Sequence, residues 1–298
     1  MSGSDANLRV PLACPVPQGA DVACVELSFS DGYRTSVLRW KGSPGHTPVL
    51  MVHGIQSHLG WFIGSAAAMW RAGHTVYQLT RRGSGSNALS RGHARSAAQL
   101  LDDLAVAHRR ILTDTGASRC HLVGVSWGGK LLAAYAAKQP PAGPIASLAL
   151  LSPGIVPQVD MPIAVKLAIA GCLLIAPHKL FDIPLSDVDL FTDNEAMRRY
   201  LRDDACRLHR ATARFLYATR QLDRMLKRAP DGAIDVRTAL ILAERDRIIN
   251  NAATANEVSR LTAGRAALVQ LPGSHTLDFE PDPAPFHSAL CAALARAD

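Results

Sequence analysis

A chain of 298 residues with 48% hydrophobic and 19% charged side chains has the composition of a folded globular protein and excludes extensive disorder. Its length accommodates one large domain or two small ones. The formal net charge of +7 is local: residues 198–228 carry nine Arg and one Lys against Asp203, Asp204 and Asp223, and no recognised nucleic-acid-binding motif accompanies them, so no nucleic-acid partner is expected.

Met1 is followed by Ser2, Gly3, Ser4 and Asp5, with neither a basic nor an apolar leader segment, so no signal peptide is read and a cytoplasmic protein is expected. Val22–Ser30 and Tyr33–Trp40 are strand-like runs joined by Asp31-Gly32, a hairpin signal. Pro48–Val52 is a continuous apolar run, as in a strand buried on both faces. The pattern then alternates. A helix spans about Ser65 to Ala72, a strand Thr75–Leu79, a helix about Ser96 to Leu112, a strand His121–Val125, a helix Gly128–Lys138 and a strand Ile145–Leu151. Such alternation predicts an α/β protein with a mostly parallel central sheet and flanking helices.

The next strand, Val236–Ala243, comes only after some 75 residues of helical periodicity, too many for a plain loop. The chain therefore divides into a first part of the core (1–152), an inserted helical cap (153–232) and a second part of the core (233–298). Within the cap, Met161–Pro177 is strongly apolar but carries Lys166 and falls short of the ~20 residues that span a bilayer, so a buried or lid helix is expected. The basic stretch 198–228, interleaved with Leu201, Leu208, Phe215, Leu216, Leu222 and Leu226, reads as an amphipathic helix pair with a solvated outer face. Weak attraction to anionic membrane is its second reading. The chain closes with a helix near Ala252 to Leu261, a strand Ala267–Leu271 and a helix from about Pro285. Six cysteines form no CxxC pair or Cys/His cluster, so neither a metal nor any other cofactor is implied.

Gly124-Val125-Ser126-Trp127-Gly128 is a GxSxG string placed between an apolar strand and a helix, where a serine is held on a strained turn with its hydroxyl projecting alone. Serine needs a base within hydrogen-bond reach and a group to orient that base. Asp246 in Glu244-Arg245-Asp246 and His275 in Gly273-Ser274-His275 both lie just past predicted strands, in the chain order acid then His that an α/β-hydrolase sheet uses. Asp235 and Asp278 are the alternative acids. The loop His53-Gly54-Ile55 follows the first buried strand, so the amides of Ile55 and Trp127 are the candidate oxyanion donors, and His53 reads as a structural residue beneath the site. Trp61 and Phe62, with Ile55 and Trp127, are expected to line an apolar substrate wall.

The strings HGxxxHxGW (His53–Trp61), RRGSG (Arg81–Gly85), GVSWGG (Gly124–Gly129), ERD (Glu244–Asp246) and GSH (Gly273–His275) resemble the α/β-hydrolase fold serine hydrolases that include monoacylglycerol lipases, lysophospholipases and bacterial carboxylesterases. The resemblance covers nearly the whole chain from the hairpin onward. It implies a Ser126, Asp246, His275 triad with Ile55 and Trp127 as oxyanion donors, and an ester substrate. The chain departs from the monoacylglycerol lipases where they carry Glu and Arg in the oxyanion loop, which here are Ser57 and Trp61, and Thr80 and Trp127 are further departures. Ester hydrolysis is thus the expected activity, with an apolar acyl group carrying recognition and no special fit for glycerol. An acyltransferase using the same triad and a non-catalytic small-molecule binder are the alternatives. An aminopeptidase would need acidic groups in the cap to hold a substrate amine.

Overall fold

The computed structural model describes residues 10–138 and 141–295; Met1 to Asp5, where no signal peptide is read, lie outside them. Two antiparallel strands open the chain, β1 (Val22–Ser28) and β2 (Arg34–Trp40), with Val22 opposite Trp40 and Ser28 opposite Arg34. Both stop short of the Asp-Gly pair on the turn side. The turn spans five residues, closed by the Phe29 amide donating to Tyr33 O at 2.8 Å, and the Phe29 and Tyr33 rings, 6.0 Å apart, pack beneath the Arg82 guanidinium.

The core then runs through β3 (Val49–Val52), α1 (Ile63–Arg71), β4 (Val76–Leu79), α2 (Ala97–Thr115), β5 (Cys120–Val125), α3 (Trp127–Ala137) and β6 (Ile145–Leu151). Every residue of β3, β4 and β5 is buried, as continuous apolar strands covered on both faces should be. Helix α2 starts where Ser96 accepts the Gln99 amide at 3.2 Å and stops at Gly116 in the left-handed region, the N-cap and C′ chemistry its sequence carries.

Between β6 and β9 (Thr238–Ala243) the chain leaves the sheet, although these two strands are direct parallel neighbours. The excursion forms α4 (Ile163–Ile175), β7 (Leu180–Asp182), α5 (Glu195–Asp203), β8 (Arg210–Thr212) and α6 (Ala213–Arg228). The segment read as an all-helical cap thus contains an antiparallel ribbon, β7 with β8, whose three-residue strands are too short to show an alternating pattern. The apolar α4 is not a buried helix: of its residues only Ile169 is buried, while Leu174 is 88% and Ile175 86% exposed. Leu201, Leu208, Phe215, Leu222 and Leu226 form the buried inner face of the basic segment. Helix α7 (Asn251–Leu261), β10 (Ala267–Leu271) and α8 (Ala284–Ala295) complete the chain. No helix among the described residues is long and apolar enough to cross a membrane.

The eight-stranded sheet has the order β1-β2-β4-β3-β5-β6-β9-β10, antiparallel only at its β1 and β2 edge. The chain steps from β3 to β4 on one side and returns to β5 on the other, so the switch point where open α/β sheets gather their ligands lies at the carboxyl ends of β3 and β5. There β5 and α3 meet very closely. A Cβ on Gly124 would stand 2.7 Å from Gly129 Cα, and one on Gly128 would collide with the Val52 carbonyl oxygen. Backbone cannot yield as a flexible side chain can. Gly128→Ala should therefore lower stability by about 2–3 kcal/mol, read as a shifted denaturant midpoint with unchanged slope; an unshifted midpoint would mean that the helix can slide away from β3.

Candidate active site

Ser126 occupies the turn between β5 and α3 with φ 53° and ψ −120°, a region that costs a residue with a Cβ about 1–3 kcal/mol. The turn is pinned from both sides: the Ser126 amide donates to Leu151 O at 2.9 Å, and its carbonyl accepts the Gly154 amide at 2.8 Å. The hydroxyl donates to His275 Nε2 at 2.9 Å, and His275 Nδ1–H donates to Asp246 Oδ2 at 2.7 Å. The second carboxylate oxygen, Asp246 Oδ1, accepts the amides of Ile248 and Ile249 at 2.8 and 3.1 Å. Burial pushes the Asp246 carboxyl up, but the His275 hydrogen bond together with these two amides outweighs it and holds the group below the usual aspartate range. A hydroxyl, an imidazole and an ionised carboxylate joined in this order form a path along which the hydroxyl proton moves to an imidazole whose charge is compensated. Of the alternative acids, Asp235 pairs with Arg265 at 3.0 Å on the surface, and Asp278 accepts from Ser65 and bonds His287.

The loop after β3 is clasped from below. Arg81, fully buried, donates through Nε to His53 O at 3.2 Å and through NH2 to Gly54 O and Ile55 O at 2.6 and 3.0 Å. With these carbonyls drawn toward one guanidinium, the loop's geometry is set. Burial lowers the Arg81 pKa to about 9, so the clasp stays charged at neutral pH. Trp127 opens α3, and amides of a helix's first turn have no partner inside the helix. His53 lies beneath the loop, its Nδ1–H donating to Gly54 O at 3.0 Å and its Nε2 accepting the Arg81 amide; burial first, then the Arg81 charge, holds it far below the usual histidine value and neutral.

The same loop is held from above by the segment between β6 and β9. Asp204 Oδ2 accepts from His58 Nε2 at 2.9 Å and from Trp61 Nε1 at 2.7 Å, and its Oδ1 accepts the Cys206 amide at 2.9 Å. His58 Nδ1 accepts the Gly60 amide, which leaves the proton on Nε2. Arg207 Nε donates to Gln56 Oε1 at 3.0 Å, and the Leu208 amide donates to Gln56 O at 2.9 Å. The His275 loop is gripped likewise: the Thr276 amide donates to Phe191 O at 2.9 Å, and Asp193 accepts from Ser274 at 3.0 Å and Arg247 at 2.5 Å. These residues carry no motif that sequence reading detects, and Asp204 reads there only as a counter-charge in a basic run.

The expected apolar wall needs correction. Trp61 is buried, its indole N–H spent on Asp204 and its ring packed at 5.6 Å from Phe191 and 5.5 Å from Phe279, so it is framework and not a free wall. Phe62 is buried as well and borders a small space behind His275 with Val125, Leu151 and Leu277. The Trp127 ring turns to α6, stacked on Phe215 at 5.4 Å with Nε1–H on Thr219. Only Ile55 of the four is partly exposed. Among the described residues no three His, Cys, Asp or Glu side chains gather in a metal-binding group.

The profile of the Hydrolase_4 family, described as serine aminopeptidase, S33, matches residues 44–282. The phospholipase YtpA of Bacillus subtilis (strain 168) is 28% identical over 180 residues, 59% of this chain and 66% of that protein, so the match spans just under two thirds of the relative. The fold is similar to the monoacylglycerol lipase of Paleococcus ferrophilus, with a TM-score of 0.75, 19% identity and coverage of 93% of this chain and 100% of the other. It is also similar to a soluble variant of the monoglyceride lipase of Saccharomyces cerevisiae in complex with a substrate analogue, with a TM-score of 0.79, 16% identity and coverage of 96% and 99%.

Asp204 supplies a test of the upper clasp. Burial raises its pKa, but the His58 hydrogen bond, then those of Trp61 and Cys206, outweigh it and leave the folded group more acidic than usual. Its contribution is therefore complete above the unfolded pKa of about 3.9 and is lost as pH falls through the lower folded value. The wild type should melt roughly 5 °C above Asp204→Asn near neutral pH, and the gap should close below about pH 4; a gap that persists unchanged in acid rules out a charged acceptor.

Proposed function

The chain belongs to the Hydrolase_4 family, and from that membership and the geometry of its elbow we propose that it is a serine hydrolase that cleaves a carboxylic ester through an acyl-enzyme on Ser126. The observation that carries this reading is the unbroken chain from Ser126 Oγ through His275 to Asp246, each link 2.9 Å or shorter. Ser126 Oγ attacks the ester carbonyl as His275 Nε2 takes its proton, and Asp246 stabilises the imidazolium. The amides of Ile55 and Trp127 receive the developing oxyanion. His275 returns the proton to the departing alcohol, then activates a water that releases the acid. The segment 153–232 acts as a cap over this site.

The family's name points to peptides, but the buried or paired carboxylates around the triad are already committed. Asp193 pairs with Arg247, Asp204 with His58 and Trp61, and Asp246 with His275. None is poised to hold a substrate ammonium, which favours an ester. The relatives include a phospholipase and monoglyceride lipases. This chain, however, has Ser57 and the buried Trp61 at the loop positions noted above, so recognition rests on burying the acyl chain.

Ser126→Ala should abolish fluorophosphonate labelling and turnover while leaving the melting temperature near wild type. His275→Ala and Asp246→Asn should each lower kcat by about 10⁴-fold, the double variant losing little more, because triad members act as a unit. Asp235→Asn is the surface control. Near-additive losses would remove one of the pair from the triad. For substrate, kcat/KM on p-nitrophenyl esters should rise about fourfold per added methylene, following ~0.8 kcal/mol of burial each, until the pocket is filled. A monoglyceride favoured about a hundredfold, or ~2.7 kcal/mol, over the matched ethyl ester would overturn the acyl-centred reading.

A further inference from the structure

Next to the elbow stands a polar group that the mechanism above does not use. Ser57 is 3% exposed, and its hydroxyl has no hydrogen-bond partner in the protein. A buried hydroxyl left unpaired costs about 1–3 kcal/mol, and native proteins retain few of them without a ligand or a function to account for them. Nor is this hydroxyl on a loose segment. Gln56, before it, is bonded to Arg207 and Leu208, and His58, after it, is bonded to Asp204. Both neighbours are anchored to the cap segment, so Ser57 is held in place.

What Ser57 faces is given by Gly54. This glycine is not among those with positive φ, so its backbone does not call for glycine and its missing side chain serves another end. The point where a Gly54 Cβ would stand is 3.1 Å from Ser57 Oγ, 3.3 Å from Ser126 Cβ and 3.7 Å from Ser126 Oγ. One small space is thus bounded by the nucleophile on one side and the unpaired hydroxyl on the other. It lies in the loop whose Ile55 amide is the proposed oxyanion donor, and the absence of a side chain on Gly54 leaves the approach between the two hydroxyls open.

We propose that Ser57 is a catalytic residue, a third oxyanion donor whose hydroxyl completes the set formed by the Ile55 and Trp127 amides. The inference rests on the acyl-enzyme reading of Ser126. As Ser126 Oγ bonds to the acyl carbon, the carbonyl π electrons move onto oxygen and the Ser126 proton passes to His275. The oxygen comes to lie between Ser126 and Ser57, against the Cα hydrogen of Gly54, and accepts a hydrogen bond from Ser57, which keeps its own proton throughout. When the intermediate collapses, the electron pair returns, the carbonyl re-forms, and the alcohol leaves with the proton from His275. Ser57 is satisfied only in that state, which is the condition for an interaction to raise kcat without tightening substrate binding.

The test compares Ser57→Ala and Ser57→Thr with wild type on p-nitrophenyl butyrate and ethyl butyrate, alongside inhibition by butylboronic acid, whose tetrahedral adduct places an oxygen in the same space. Ser57→Ala should lower kcat about 100–1000-fold with KM within about twofold. It should weaken boronate inhibition by a similar factor, equally for both esters, and its melting temperature should be no lower than wild type, since an unsatisfied hydroxyl has been removed. Ser57→Thr, which keeps a hydroxyl, should recover most of the rate. Undiminished kcat in Ser57→Ala overturns the assignment. So does a loss confined to KM or to one of the two alcohols, which would make Ser57 a contact to the leaving group, or a fall in melting temperature matching the loss, which would make it structural. Failure of the underlying reading is distinguishable, because wild type would then neither hydrolyse the esters nor bind boronate.

Discussion

Ser126 is held in a backbone conformation that side chains avoid, and the site is arranged around that constraint. The turn persists because the surroundings leave it no alternative: β5 and α3 touch through Gly124, Gly128 and Gly129, and the β6 end takes both the amide and the carbonyl of Ser126 through Leu151 and Gly154. Strain of this kind survives only where packing over-determines it. The result is a hydroxyl lifted clear of the sheet at the switch point, within reach of the loops that follow β3, β9 and β10.

The loops around the elbow are not self-supporting, and the segment between β6 and β9 holds each of them. Residues 204–208 bind the loop after β3, residues 191–193 bind the loops carrying Asp246 and His275, and α6 receives the Trp127 ring and pairs Asp223 with Lys130 at 2.6 Å. Lifting this segment as one body would leave the buried His58 and Trp61 donors unpaired and release the candidate oxyanion loop. Burial of those groups makes such a movement costly.

The same network takes up part of the charge. Arg198 reaches Asp189, Asp193 and Glu195, Arg202 reaches Glu195, and Arg207 is buried against Gln56 and the Leu185 carbonyl. Of the ten basic side chains in residues 198–228 only Arg207 is buried; Arg198 and Arg202 meet surface acids, and Arg199, Arg210, Arg220, Arg224, Lys227 and Arg228 are exposed.

The sequence by itself was enough for the order and type of nearly every core element, the antiparallel start of the sheet, the serine at a strand-to-helix turn, and the placing of Asp246 and His275 just past the strands β9 and β10. Those features are local: a two- or four-residue period, a glycine pair, a cap residue and a position relative to a strand end are all legible within about ten residues. The β7–β8 ribbon escaped because three-residue strands carry no period, and Trp61 was misplaced because an aromatic beside a site motif reads the same whether it faces substrate or core. Only the tertiary structure decided that Asp204 belongs to the loop after β3, that Arg81 gathers three carbonyls of that loop, that Asp278 turns toward Ser65 and His287, and that Ser57 faces the nucleophile across Gly54. Each of these is a contact between residues far apart in the chain or a matter of side-chain direction, and a hydrogen bond depends on distance and angle in space, which no local pattern encodes.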